Sequence, residues 1–164
     1  MKEALRVLNR LVKNGIVEEY AIGGAIGFIF YTEIFHTKDL DVFIAPQITP
    51  TGIVHFGAVY EYLKSLGYKM QGQYYLIGDM LVDFIPVYNE LLQEALEKSV
   101  VRRYRGINTK VLRPEYLIAI ALHTGRTQDF RKIDLMIEEA RIDKSLLMDI
   151  ATRHNLKGKW MKYV

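Results

Sequence analysis

Residues 39–44 read D-L-D-V-F-I, and no other stretch limits the fold as much. The composition is that of a β-strand, in which alternate side chains share a face. Leu40, Val42 and Ile44 then point to one side, and Asp39, Asp41 and Phe43 to the other. A strand with one apolar face belongs in a sheet, and two carboxylates beside a phenylalanine are costly to bury without compensation. A short acidic pair also occurs at strand ends, where water or a turn satisfies it, so the surroundings have to decide.

Leu5, Leu8, Leu11 and Val12 recur at helical spacing ahead of Gly15, so the chain opens with an amphipathic helix. VEEYAIGG then reads as a short strand running into a glycine turn, and residues 25–35, AIGFIFYTEIF, as a buried helix. After the aspartate strand, Phe56, Val59, Tyr60, Leu63 and Leu66 form a helix stopped by Gly67. YYLIGDMLVDFIPV is two strands joined at Gly78-Asp79; that turn sets Tyr74 opposite Asp83, which shares a face with Leu81, Ile85 and Val87. A helix from Asn89 to Lys98 and a hairpin turning around Gly106 to Asn108 follow, then three helices over Pro114–His123, Thr127–Ala140 and Asp143–His154. The expected fold is a mixed α/β sheet flanked by helices with a helical C-terminal part. Residues 1–99 form the core, and 100–164 a hairpin and helical part packed on it as one unit.

The chain has 164 residues, no cysteine and a net charge of +3. A disulfide framework and a thiolate metal site are thereby excluded. Glu3, Arg6, Arg10 and Lys13 interrupt the N-terminal apolar pattern, which argues against a signal peptide. The uncharged run from Ala21 to Thr32 is too short to span a bilayer, so a soluble, cytoplasmic protein without membrane partners is expected. Residues 1–99 hold 8 Lys/Arg against 12 Asp/Glu, a balance of −4, whereas residues 100–164 hold 14 against 7, a balance of +7. An acidic half suited to divalent metal precedes a basic half suited to phosphates.

Three carboxylates gathered from adjacent strands repel one another unless cations neutralise them, and hard oxygen ligands suit Mg²⁺. Gly23 and Gly24, between a strand and a helix, let the backbone approach a ligand closely. Gly24 and Gly27 also have the spacing of the last two glycines of a dinucleotide fingerprint, but Ile22 stands where the first would be.

A strand, a double glycine, a helix, Asp-x-Asp on the next strand and a lone Asp on a later one resemble the nucleotidyltransferase superfamily that includes DNA polymerase beta. More closely, AIGGAIGFIFYTEIFHTKDLDVFI is similar to the toxin-type nucleotidyltransferases of bacterial abortive-infection systems, over about residues 18 to 87. The resemblance implies that Gly23 and Gly24 hold a nucleoside triphosphate and that Asp39 and Asp41 bind Mg²⁺ or Mn²⁺ ions bridging its phosphates. Asp83 then completes the metal site and helps activate an acceptor hydroxyl, on RNA or a protein, for attack at the α-phosphorus. Thr37 and Lys38 match the same pattern as nucleotide-binding residues, as do Arg126 and Asp129 in the C-terminal helices.

The sequence departs from the toxin-type branch at Ala121, where that branch has a lysine, and at Lys132, where it has a second acid; Lys132, Arg126 and His123 are the candidates to stand in for that lysine. The departure leaves two readings: an active transferase, or a nucleotide- or RNA-binding module of the same fold, part of a toxin-antitoxin type system. Arg103 and Arg105 are read as sharing a strand face, a rail for phosphates or an ordinary charged edge. His123 is read as an ordinary histidine near a helix end.

Overall fold

The computed structural model describes residues 1–33, 36–45, 47–48 and 54–163. In chain order the elements are α1 (Lys2–Lys13), β1 (Tyr20–Ile22), α2 (Gly24–Ile29), β2 (Asp39–Ile44), β3 (Gln47–Ile48), β4 (Val54–His55), α3 (Gly57–Ser65), β5 (Lys69–Gln71), β6 (Tyr74–Ile77) and β7 (Met80–Pro86). There follow α4 (Glu90–Glu97), β8 (Val100–Tyr104), β9 (Ile107–Val111), α5 (Pro114–Thr124), α6 (Thr127–Glu139), α7 (Lys144–Arg153) and α8 (Lys157–Trp160).

Seven strands make one mixed sheet in the order β5-β6-β7-β2-β1-β9-β8, and β3 and β4 form a separate small pair. Strand β2 runs parallel to β7 and antiparallel to β1, while β1 runs parallel to β9. The alternation in β2 sorts the interior into two cores. Leu40, Val42 and Ile44 pack with Leu5, Leu8 and Leu11 of α1 and Val59 and Leu63 of α3. Phe43, on the other face, packs with Phe28 and with Leu91, Leu117, Ile133 and Ile150 from α4 to α7. The result is a three-layer arrangement in which each sheet face is covered by helices.

Several expectations need correction. Helix α2 ends at Ile29, after which the Tyr31 N–H turns back to the Phe28 carbonyl at 2.9 Å in a tighter i to i−3 turn; Ile34 and Phe35 lie outside the described residues. The second hairpin turns at Arg105-Gly106, with φ of +45° and +87°, one residue earlier than the glycine-asparagine signal suggested. Arg105 therefore sits in the turn, off the strand, and the proposed Arg103/Arg105 face does not form. Arg102 instead lies over the Tyr31 ring, 5.0 Å from its centre. Strand β5 and helix α8 were not foreseen: the first is three exposed residues and the second a single turn. The turn at Gly78-Asp79 is where expected, and its register carries Tyr74 opposite Asp83.

Helices α4, α5 and α7 are tied at Glu94. Arg153 donates to both of its carboxylate oxygens at 2.7 Å, Tyr116 to one at 2.7 Å, and His154 Nε2 lies 3.0 Å away. Arg153 above all, against a burial penalty, lowers the Glu94 carboxyl from 4.5 to about 2. A depressed folded value contributes stability above the unfolded pKa that is lost as the pH falls towards the folded one. Glu94→Gln should cost about 1–3 kcal/mol at neutral pH. In urea melts its deficit against wild type should shrink between pH 4.5 and about 2.

Candidate active site

The site forms where β1, β2 and β7 meet the start of α2. Parallel pairing of β2 with β7 sets Asp41 directly beside Asp83, and Asp39 beside Leu81, all on the face opposite the α1 core. Antiparallel pairing of β1 with β2 continues one step past Ile22, where the Gly23 N–H donates to the Asp41 carbonyl at 3.0 Å. The two registers together bring the glycine turn and two of the acids to one place.

The glycines serve different needs there. Gly24 has φ of +53°, and a Cβ on it would fall 1.6 Å from Asp41 Oδ2, so only glycine fits. Gly23 lies under the aromatic core: a Cβ would meet Phe43 Cε2 at 2.3 Å. Thr37 steadies the entry to β2, its hydroxyl accepting from the Asp39 N–H at 3.0 Å.

Above these residues opens a cavity of about 500 Å³. Asp39, Asp41, Asp83, Thr37 and Gly24 line one side, and Arg126, Asp129 and Lys132 from α6 and its entry line the other. Phe28, Phe43, Ile85, Leu91, Leu117 and Ala121 give it an apolar floor. Gly23 and Lys38 are not among its lining residues; the charge of Lys38 acts instead on Asp79 at the β6–β7 turn. Two other cavities have similar volumes, about 560 and 490 Å³, so size alone does not single this one out. Its gathered carboxylates do.

The electrostatics are asymmetric. Burial, and then the neighbouring charge of Asp83, push the Asp41 carboxyl up, against the pull of Lys132 and Arg126. Asp129 is 3 % exposed, and burial acts against its charge, but Arg126 and Lys132 outweigh this and hold it below the usual carboxylate range. Arg126 Nε donates to one Asp129 oxygen at 2.9 Å, and Lys132 Nζ to the other at 3.1 Å. Asp129 is thus a clamp for two cations that face a group of three acids.

Among the described residues no three His, Asp or Glu side chains converge on a ready-made metal position. Asp83 is turned to Gln73, whose Nε2 donates to it at 3.1 Å. The donor set nevertheless suits a hard divalent cation: adjacent carboxylates, one desolvated, with burial and neighbouring charges alone acting on it. Gln73, Tyr88 and the apolar floor were not foreseen as site residues, and Gln73 and Tyr88 carry no motif. Arg126, Lys132 and His123, the candidates for the charge absent at Ala121, all line the cavity.

Solved structures share this architecture. That of the antibiotic-resistance factor ANT(2'')-Ia in solution matches with a TM-score of 0.59 at 12 % identity, over 99 % of this chain and 95 % of that one. ANT(2'')-Ia in complex with adenylyl-2''-tobramycin gives 0.57 at 12 % identity, over 96 % and 97 %. An antigenic nucleotidyltransferase-like protein from Paracoccidioides brasiliensis gives 0.58 at 15 % identity, over 84 % and 76 %. The chain has the nucleotidyltransferase fold. No protein-family model and no curated protein matches the sequence. The nucleotidyltransferase likeness at this identity carries the fold and does not select the toxin-type branch.

Gly24→Ala should destabilise by about 1–3 kcal/mol through positive φ and overlap. Adding Asp41→Ala should recover part of that loss, seen as non-additive melting temperatures. Asp41→Asn alone should raise the melting temperature at pH 7 in chelator. The raised folded pKa means that the charged carboxylate costs stability above the unfolded pKa; the gain should vanish as the pH falls below it.

Proposed function

We propose that this protein is a metal-dependent nucleotidyltransferase that moves a nucleoside monophosphate from a nucleoside triphosphate to a hydroxyl acceptor, releasing pyrophosphate. The observation that carries the reading is the parallel pairing of Asp41 with Asp83 at the rim of a cavity whose far wall is cationic. Asp39, Asp41 and Asp83 would hold Mg²⁺ or Mn²⁺, which supplies charge neutralisation on the phosphates and on the departing pyrophosphate.

The chain's own groups do the rest. Gly24 leaves the backbone bare beside Asp41, so a phosphate can approach without meeting a side chain. Arg126, 61 % exposed in its side chain, stands at the mouth and draws the polyanion inward. Thr37 borders the same opening. Asp83, steadied by Gln73, accepts the proton of the acceptor hydroxyl as the new P–O bond forms. The apolar floor excludes water around the reacting groups, which strengthens each electrostatic contact. The acceptor in this reading is a hydroxyl of an RNA, a protein or a small molecule.

Ala121 favours a second reading. It is 6 % exposed and lines the cavity without charge, so α5 contributes no lysine or arginine there, only His123 near its end. The fold would then serve as a nucleotide- or RNA-binding module without turnover, as one partner of a toxin-antitoxin type pair.

The two readings part in one experiment. α-Labelled nucleotides are offered with Mg²⁺ or Mn²⁺ to total RNA and to cellular protein. Label transfer by wild type, reduced at least 100-fold in Asp39→Asn and Asp41→Asn, is the expected outcome, on the order of what loss of an essential electrostatic group costs. Binding of nucleotide without transfer to either acceptor would point to the module.

A further inference from the structure

We propose that Lys132 is the inner triphosphate-binding cation of this site, held in place by Asp129 and taking on α6 a role that Ala121 of α5 has no charge to fill. The inference rests on the nucleotidyltransferase reading above. Lys132 lines the same cavity as Ala121, and α5 packs against α6. Two features separate Lys132 from an ordinary helical ion pair.

The first is burial. The Lys132 side chain is only 14 % exposed, against 61 % for Arg126, although both contact Asp129. Arg126 therefore stands at the mouth and Lys132 within. A lysine stem can usually carry its charge out to water at little cost, yet here the ammonium stays inside.

The second is stoichiometry. Arg126 already reaches both Asp129 oxygens, with Nε at 2.9 Å from one and Nη2 at 3.4 Å from the other. One guanidinium neutralises one carboxylate, so Lys132 leaves the clamp with a surplus positive charge facing the aspartates. Without a metal the aspartates offset that charge, but divalent cations bound to the carboxylates would take its place and leave the ammonium without a counterion. A ligand with several negative charges supplies one. An ammonium is a compact point charge with three donors, suited to phosphate oxygens whose positions shift during transfer. Asp129, saturated by its two cations, acts as a positioning residue for Lys132.

The Lys132 assignment makes affinity depend on the number of phosphates. Binding of the four nucleoside tri- and monophosphates is measured by calorimetry with Ca²⁺ and with Mg²⁺ for wild type, Lys132→Met, Lys132→Arg and the double variant Ala121→Lys/Lys132→Met. Methionine keeps the aliphatic packing, and melting curves verify folding. Lys132→Met should weaken the preferred triphosphate about 10- to 100-fold, the range for a lost charged hydrogen bond, and the monophosphate less than about 3-fold. Lys132→Arg should retain most of the affinity, and the double variant should regain at least about 5-fold over Lys132→Met, within the same range. Equal losses for tri- and monophosphate, or no loss, would overturn the role of Lys132 while leaving the transferase reading intact. Absence of triphosphate binding by wild type would overturn both.

Discussion

The site depends on one backbone pairing, the parallel run of β2 beside β7. Parallel strands align residues with a fixed offset along their whole length, so the ladder that joins Leu40 to Val82 also sets Asp41 beside Asp83. The hydrophobic residues on one face hold the register, because a slip of one position would turn Leu40, Val42 and Ile44 out of their core. The apolar half of each strand thus maintains, from the back, an acidic pairing that is unfavourable by itself.

The β1–β2 ladder adds the second constraint. It ends at a glycine whose N–H bonds the Asp41 carbonyl, followed by one that leaves no space for a side chain over the Asp41 carboxylate. The acids are crowded from three sides: by the neighbouring strand, by the turn and by the helices that bury Phe43. The compensating charge arrives from far along the sequence, at Arg126 and Lys132, through a carboxylate that contacts both.

Much of this was legible from the sequence because strands alternate with a period of two. The face shared by Asp39 and Asp41, the partition of Leu40 from Phe43 and the Gly78-Asp79 turn all follow from that period. What was illegible depended on tertiary contact. The sequence offered Lys132, Arg126 and His123 alike for the missing cation, and only packing sets the Lys132 ammonium inside against Asp129. The hairpin turn fell on Arg105 because that residue adopts a left-handed conformation more often found in glycine or asparagine. Helix α2 was read too long because an apolar run does not mark where the last turn tightens.

The distance along the chain between acids and cations also bears on how the protein is made. A nascent polypeptide emerging as far as Pro86 has β2 and β7 available to pair but not the segment that carries the counterweight. Until α6 follows, the paired carboxylates of β2 and β7 have only solvent and its ions to screen them. The segment from Arg126 to Lys132 therefore acts as an electrostatic keystone, laid down only after the strands whose carboxylates it offsets.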